Sequence, residues 1–462
     1  MILSLDTGGE KMNYVNIINT IFGILIGLVG LLYIHFIIYA IVGIFKTKKY
    51  PKAKVQYKYG LIIPARNEEK VVGNLIKSIQ KNKYPQDKLQ IFVIAHNCTD
   101  NTAKICRELG ATVYEYNNPN ECTMGYAFRY LFDRIKEDYG TENYDGFFLF
   151  NADNVLKENF FEKMNDAFAY YDKKNVITSY RNSKNFGSNI ISGLYGLFFM
   201  TACRFELSGR TVTNCSTRVG GTGYVINSDL VKDGWPYVTL TEDWEFSADQ
   251  IINGNKVRYC DEAEFFDEQP TSFKVMWRQR VRWAKGHLLV CLTRLKDLIK
   301  SLFSRKKEHK HKVSIYDFII NVLPICILTT SLGILQFIAL LFSPLFGLNL
   351  GVVMLAWLKG FLISAAIGYF SLVLNAIIIF IKERKRIHGV SFGKKIALTL
   401  IWPLFILIQF PIEIVALFSK NLQWKTIPHN DTTDHESLNK ETQKANDVII
   451  DAETIETDKT KN

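Results

Sequence analysis

Thr241-Glu242-Asp243-Trp244 places two adjacent carboxyls beside an indole. An acid held within hydrogen-bond reach of a hydroxyl can take its proton as the oxygen attacks, which is general-base chemistry for Asp243. The plainer alternative is helix capping, the ordinary use of Thr or Asp ahead of a helical stretch. Asn151-Ala152-Asp153-Asn154 sets a carboxylate one residue from another oxygen ligand, a spacing that suits a hard divalent cation bridging diphosphate oxygens. Taken alone, Asn and Asp after a strand are more often turn formers. In Gln279-Arg280-Val281-Arg282-Trp283 the indole face can stack on a sugar and Arg282 can pair with a phosphate. Trp277, Val281 and Leu288 equally make an apolar stripe on an interfacial helix. Gly220-Gly221-Thr222-Gly223 lets backbone approach a sugar, or simply turns the chain.

These groups need elements to hold them. Tyr59 to Pro64 and Leu89 to Ala95 are short β-rich apolar runs, Glu68 to Lys81 has helical periodicity, and Gly146 to Phe150 is a third strand-like run. Strands alternating with helices predict a parallel α/β sheet, in which ligands sit beyond the carboxyl ends of the strands. The polar segments stand at those ends: Ala65-Arg66-Asn67-Glu68 after the first run, His96-Asn97-Cys98-Thr99-Asp100 after the second, Asn151 to Asn154 after the third. Their joint occurrence in this order favours a nucleotide site over a series of unrelated turns.

The chain has 462 residues, 48% hydrophobic, with a formal charge of +11. Its apolar residues are concentrated in Asn16–Phe45, Ile315–Ser343, Leu350–Ile381 and Ile396–Ser419. A helix of roughly 20 apolar residues crosses a bilayer core, so these stretches exclude an ordinary soluble globule and make a lipid membrane a partner. The eight cysteines form no CxxC pair and no Cys/His ligand spacing, which argues against a disulfide framework or a zinc site. Lysines from Lys46 to Lys58, and Arg305 to Lys312, flank the first two stretches and put the region between them in the cytoplasm. Residues 430–462 hold nine acids against four lysines, a charge of −5 that leaves +16 on the rest. That surplus clusters beside the apolar stretches, where anionic lipid and topology account for it; a nucleic-acid partner is not expected.

The ordered set of segments resembles the processive, membrane-embedded glycosyltransferases of family 2, the group containing cellulose, hyaluronan and poly-N-acetylglucosamine synthases. The resemblance runs from about Tyr59 to Gly286. It implies an α/β, GT-A-type cytoplasmic domain joined to transmembrane α-helices, and a hexosyltransferase that uses a nucleotide sugar, usually a UDP-sugar, with inversion. It further implies Mg2+ or Mn2+ as cofactor, a growing β-linked glycan as acceptor, and export of that polysaccharide through the protein's own spans, with accessory export subunits left open. Asp243 matches the family's general base and Asp153 the metal-binding end of its Asp-x-Asp motif. Glu68, with Ala65 and Arg66, matches the segment that contacts the nucleotide. Gln279, Arg282 and Trp283, with Glu242 beside the base, match the acceptor and diphosphate end.

Three positions depart from the family pattern. Asn151 stands where the first Asp is usual. His96 replaces a nucleotide-contacting Asp, which leaves His96, Asn97 or Asp100 to read the donor. Met124-Gly125 stands where a Lys-Gly pair is common. The resulting plan is an outside segment 1–15, a span at 16–45, a catalytic domain at 46–270 and interfacial helices at 271–312. About three spans follow at 313–420, and then a polar, disordered tail at 421–462. Pro403 and Pro411 interrupt the last apolar stretch, so it either crosses, leaving the tail outside, or re-enters, leaving the tail in the cytoplasm. Trp424-Lys425-Thr426 resembles a segment that some relatives place over the site as a lid, which needs the second arrangement. Lys359, Gln409 and Glu413 within the apolar stretches line a glycan path or make interhelical contacts. The rival functions are a single-transfer glycosyltransferase acting on a lipid or preformed glycan, and a non-catalytic transporter or regulator.

Overall fold

The computed structural model describes residues 11–420 and 427–438. Most of the expected outside segment and all of Trp424-Lys425-Thr426 lie outside the described residues. Helix α1 (Lys11–Phe45) leads into a sheet that opens with β1 (Tyr59–Ala65). Leu61 and Ile63 enter one apolar core and Ile62 the other. Burial on both faces is why the strand reads as an unbroken apolar run. In α2 (Val72–Gln80), Val72, Leu75, Ile76 and Ile79 are buried at helical spacing. The helix predicted from Glu68 begins at Val72 because Asn67 adopts a left-handed φ of 58° and the chain turns at Glu68 to Val71.

β2 (Leu89–His96), α3 (Thr102–Glu108), β3 (Thr112–Tyr116), α4 (Met124–Asp138) and β4 (Gly146–Leu149) complete a parallel set in the order β3-β2-β1-β4. Next come β5 (Val155–Leu156), α5 (Phe160–Tyr170), β6 (Val176–Ser183) and α6 (Ile190–Thr201). A π-helical segment, Ala202–Ser208, joins α6 to α7 (Gly209–Val212), followed by β7 (Tyr224–Asn227), α8 (Glu242–Asn253) and β8 (Val257–Asp267). The sheet continues as β7-β6-β8-β5, with β7 antiparallel to both β4 and β6 and β5 antiparallel to β8. The α/β class agrees with the expectation, but the sheet is mixed where a parallel one was expected. β7 is entered through Gly221 and Gly223, at φ 81° and 69°, and a Cβ on Gly223 would come within 2.2 Å of the Phe265 ring.

The remaining helices are α9 (Phe273–Phe303), α10 (His309–Val322), α11 (Ile325–Leu341), α12 (Leu350–Lys382), α13 (Phe392–Leu407) and α14 (Gln409–Phe418). Among the described residues, Tyr14–Phe45, Ile190–Val212, Leu350–Lys382 and Phe392–Phe418 are long and apolar enough to cross a membrane, and α10 and α11 form a further pair bent by 60°. The bend falls at Pro324, which cannot donate the helical hydrogen bond. Pro403 and Pro411 sit inside helices, and the break in that stretch comes between them, at Ile408. Half of the apolar window in Ile190–Val212 is buried within the protein. There α1 approaches so closely that a Cβ on Gly43 would lie 2.0 Å from the Arg204 carbonyl oxygen, and one on Gly209 2.1 Å from that of Tyr39. Residues 427–438 are seated on the sheet domain, with Leu438 buried among Val155 and Phe266. For this part of the tail the structure differs from the expected disorder: a segment too polar to fold alone is held by a partner surface.

Candidate active site

The loops after β1, β2 and β4 meet the start of α8 and one face of α9 around a cavity of about 330 Å³. Ala65, Arg66, Glu68, His96, Asp153, Glu242, Asp243, Gln279, Arg282 and Trp283 all line it. Asn97 and Asp100, the other two expected donor contacts, are not among its lining residues. Asn97 exchanges two hydrogen bonds with the backbone of Asn118, at 2.7 and 3.0 Å. The Asp100 carboxylate accepts from the Glu69 and Thr102 amides and from the Thr102 hydroxyl. Both residues clasp loops, the Asx use of these side chains.

Asp243 lies in the first turn of α8, and no side chain caps that helix. Thr241, the expected capping group, has a buried hydroxyl without a partner. Burial pushes the Asp243 carboxyl up, against the opposing pull of the Trp244 amide and Arg282. Burial, reinforced by Asp243, pushes Glu242 up as well. A base of raised pKa is a stronger proton acceptor, which suits removal of a hydroxyl proton. Gln279, Arg282 and Trp283 share one face of α9, at the i, i+3 and i+4 spacing that aligns side chains. Gln279 accepts from Tyr195 Oη at 2.8 Å, and Arg282 Nη1 donates to the Leu240 carbonyl at 3.0 Å. The Trp283 ring lies 6.1 Å from Tyr195 and 6.3 Å from Phe199, which makes an aromatic collar for an apolar or sugar face.

Asp153 is 3% exposed and accepts from the Glu268 amide at 2.8 Å. Asn151 Oδ1 is buried and has no partner. An orphaned carbonyl oxygen two residues from a buried carboxylate is a donor set that fits a hard divalent cation completed by phosphate oxygens. No group of three or more His, Cys, Asp or Glu residues able to hold a metal occurs among the described residues. Asp153 and Asn151 are the residues that would hold one, with phosphate oxygens completing the set. His96 donates from Nε2 to the Glu121 carbonyl at 2.6 Å and stacks on Tyr116, and burial lowers its pKa.

Several cavity residues carry no sequence signal. Arg181 on β6 donates from Nε to Asp267 at 2.7 Å and from Nη1 to the Gly220 carbonyl, and its guanidinium lies 3.7 Å over the Phe199 ring. It supplies a fixed cation in a pocket that lacks the common Lys-Gly pair. His287 packs 4.0 Å from Trp244. Burial, with Arg218 nearby, lowers its pKa to about 3, which keeps it neutral. His429 enters from the far end of the chain, its Nδ1 2.9 and 3.0 Å from the two Glu68 oxygens. Burial opposes its charge, but Asp153, Glu68 and Glu268 outweigh that and raise it to about 9.

Residues 57–286 match the sequence model described as "Glycosyltransferase like family 2". Among curated relatives, the chain is 24% identical over 245 residues to "Probable glycosyltransferase YdaM" of Bacillus subtilis, covering 53% of this chain and 58% of the relative. It is 22% identical over 305 residues to "Poly-beta-1,6-N-acetyl-D-glucosamine synthase" of Staphylococcus aureus, covering 63% of this chain and 68% of that one. The match thus spans a little over half of the first relative's length. Among solved structures, "Mannosyltransferase PcManGT from Pyrobaculum calidifontis in complex with GDP-Man and Mn2+" superposes with a TM-score of 0.54 at 14% identity, over 88% of this chain and all of that chain. At that identity the likeness is one of fold.

Proposed function

Residues 57–286 of this chain are a family 2 glycosyltransferase domain, and from that premise we propose that the whole protein transfers a sugar from a nucleotide sugar to a growing β-linked polysaccharide at a membrane surface. The observation that carries the reading is a single cavity lined by Glu68 and Asp153 together with Asp243, Arg282 and Trp283. In the step this supports, Asp243 takes the proton of an acceptor hydroxyl as that oxygen attacks the anomeric carbon. The bond to the diphosphate breaks on the opposite face, with its electron pair leaving on the phosphate oxygen. Inversion follows. Arg282 and Arg181, the latter held by Asp267, line the same cavity and are the cations available to the charge that develops. A Mg2+ or Mn2+ ion held by Asp153 and Asn151 would supply Lewis-acid stabilisation of the departing diphosphate.

The relative named poly-beta-1,6-N-acetyl-D-glucosamine synthase makes UDP-N-acetylglucosamine the first donor to try. The test is the full chain in lipid nanodiscs with several UDP- and GDP-sugars, reading nucleotide release and product length. A ladder of long products with one donor is expected. Discrete single additions would instead favour the second reading, transfer to a lipid-linked or preformed acceptor, which the apolar wall of Phe198, Phe199 and Leu207 supports. Contact of residues 427–438 with the domain supports a tail on the same side of the membrane as the catalytic site, the cytoplasm on the charge pattern, with Phe392–Phe418 not delivering the chain to the opposite face.

A further inference from the structure

His287 lines the cavity with chemistry that the transfer step above leaves unused. It stands on α9 one turn beyond Trp283, on the same side of the helix. At 1.5 Å per residue that places it about 6 Å further along the axis. Its ring packs on the Trp244 indole at 4.0 Å, tilted by 45°. The Arg218 guanidinium lies 4.9 Å from the same indole and the Phe318 ring 5.8 Å from it, so Trp244 is pinned. Trp244 directly follows Asp243, and its amide hydrogen-bonds the Asp243 carboxylate. His287 and the base therefore meet across a single residue.

A histidine kept only for packing is a poor choice, because a polar ring without partners costs free energy to bury. Among the described residues nothing hydrogen-bonds to the His287 ring nitrogens, and neither nitrogen is sealed inside the protein. Both are open to the cavity. Burial and Arg218 hold the ring neutral, with its pKa lowered to about 3, and a neutral imidazole carries one donor and one acceptor. Arg218 is paired with Glu206 at 2.8 Å, so its charge is matched. A donor and an acceptor beside an indole face, with the nearest cation already neutralised, suit an uncharged sugar better than a phosphate or a carboxylate. We propose that His287 is a specificity-determining residue for the acceptor, hydrogen-bonding hydroxyls of an uncharged sugar seated against Trp244 and so holding that sugar beside Asp243. This rests on the sugar-transfer reading given above and adds the acceptor's class and a residue that selects it. A His287 that merely props Trp244, and through it Asp243, would leave a different kinetic signature.

The test uses the full chain in nanodiscs with several UDP- and GDP-sugars, and with cellotriose or chitotriose added as soluble primer. The readout is the fate of the donor sugar: the amount built into glycan against the amount released by transfer to water. An enzyme that holds its acceptor poorly loses more donor to water. His287→Phe keeps a ring against Trp244 and removes both nitrogens. It should lower the ratio of incorporated to hydrolysed sugar by about three- to tenfold, the scale of one or two neutral hydrogen bonds, while affinity for UDP or GDP holds. His287→Asn or His287→Gln, which supply an amide donor and acceptor, should restore part of the ratio. Should Phe prevent folding, His287→Leu carries the same test. If His287 only positions the base, incorporation and hydrolysis fall together. An unchanged ratio in the variant, shown folded by thermal melt, would therefore overturn the inference whether or not turnover falls. So would a wild type that hydrolyses its donor and extends neither primer nor glycan, since it holds no acceptor. If the wild type releases no nucleotide from any donor, the transfer reading itself fails and takes the acceptor proposal with it, an outcome distinct from those two.

Discussion

Asp243 is asked to be a base, and its burial sets the pH at which it can act. Because its pKa is raised, the carboxyl is protonated, and useless as a base, at pH values where an exposed Asp is still ionised. The rate should therefore fall on the acid side at a pH above the ordinary carboxylate range, near 4. A pH-rate profile of sugar transfer under saturating donor checks this, and a flat profile down to pH 4 contradicts it. On the proposed metal site, which takes the orphaned Asn151 oxygen as a ligand, Asp at 151 should lower, and Ala raise, the Mn2+ concentration for half-maximal activity several-fold. That Asp243, Asp153, Gln279, Arg282 and Trp283 stand at element ends or on one helix face was legible in the sequence from their spacing, and the structure brings them to one cavity. Arg181 and His287 were not, since a lone Arg in a strand and a lone His in a helix have no local pattern. Asn97 and Asp100 read as donor contacts for the same reason they form loop clasps: both uses want short polar side chains after a strand.

The elements matter through two close approaches. A Cβ on Gly286 of α9 would come within 2.3 Å of Thr241 Cγ2 at the start of α8, so Gly286 lets the helix of the Gln-x-x-Arg-Trp segment lie against the helix of Asp243. Gly286→Ala should push α8 away, lowering turnover while UDP affinity holds, and destabilise by about 1–3 kcal/mol, the usual cost of overpacking. Steady-state kinetics beside a nucleotide titration would separate the two effects. At Gly43 and Gly209 the helix backbones come together as small residues permit in membrane packing. Ile190–Val212 is hard to read as an apolar helix from composition because Arg204, Glu206 and Arg210 interrupt it. The structure explains those charges: Arg204 pairs with Glu383, and Glu206 lies 3.3 Å from Arg210 and 2.8 Å from Arg218. The mixed sheet escaped prediction because the sense of β7 lies in its pairing with β4 and β6, remote in sequence, which no periodicity records.

For the whole molecule, the catalytic domain is locked to the apolar helices by buried ion pairs. Arg210, 1% exposed, donates from Nε to Asp317 on α10 at 2.7 Å, and Asp317 also meets His35 of α1 at 2.9 Å. Removing one partner of a buried pair leaves an uncompensated charge, so Asp317→Ala should cost about 3–5 kcal/mol, read as a large drop in the melting temperature of the detergent-solubilised protein. Apolar runs and flanking lysines reveal where such helices are, but not that residues 427–438 return to the domain, because that depends on contacts remote in sequence. The central claim is that this cavity moves sugar with Asp243 as its base. The most direct measurement is nucleotide release and glycan formation by the full chain in nanodiscs, comparing wild type with Asp243→Asn. The wild type should form product with one nucleotide sugar, and the variant should lose about 10²–10⁴-fold in rate while binding UDP or GDP as the wild type does. Product formation by Asp243→Asn at the wild-type rate would contradict the account.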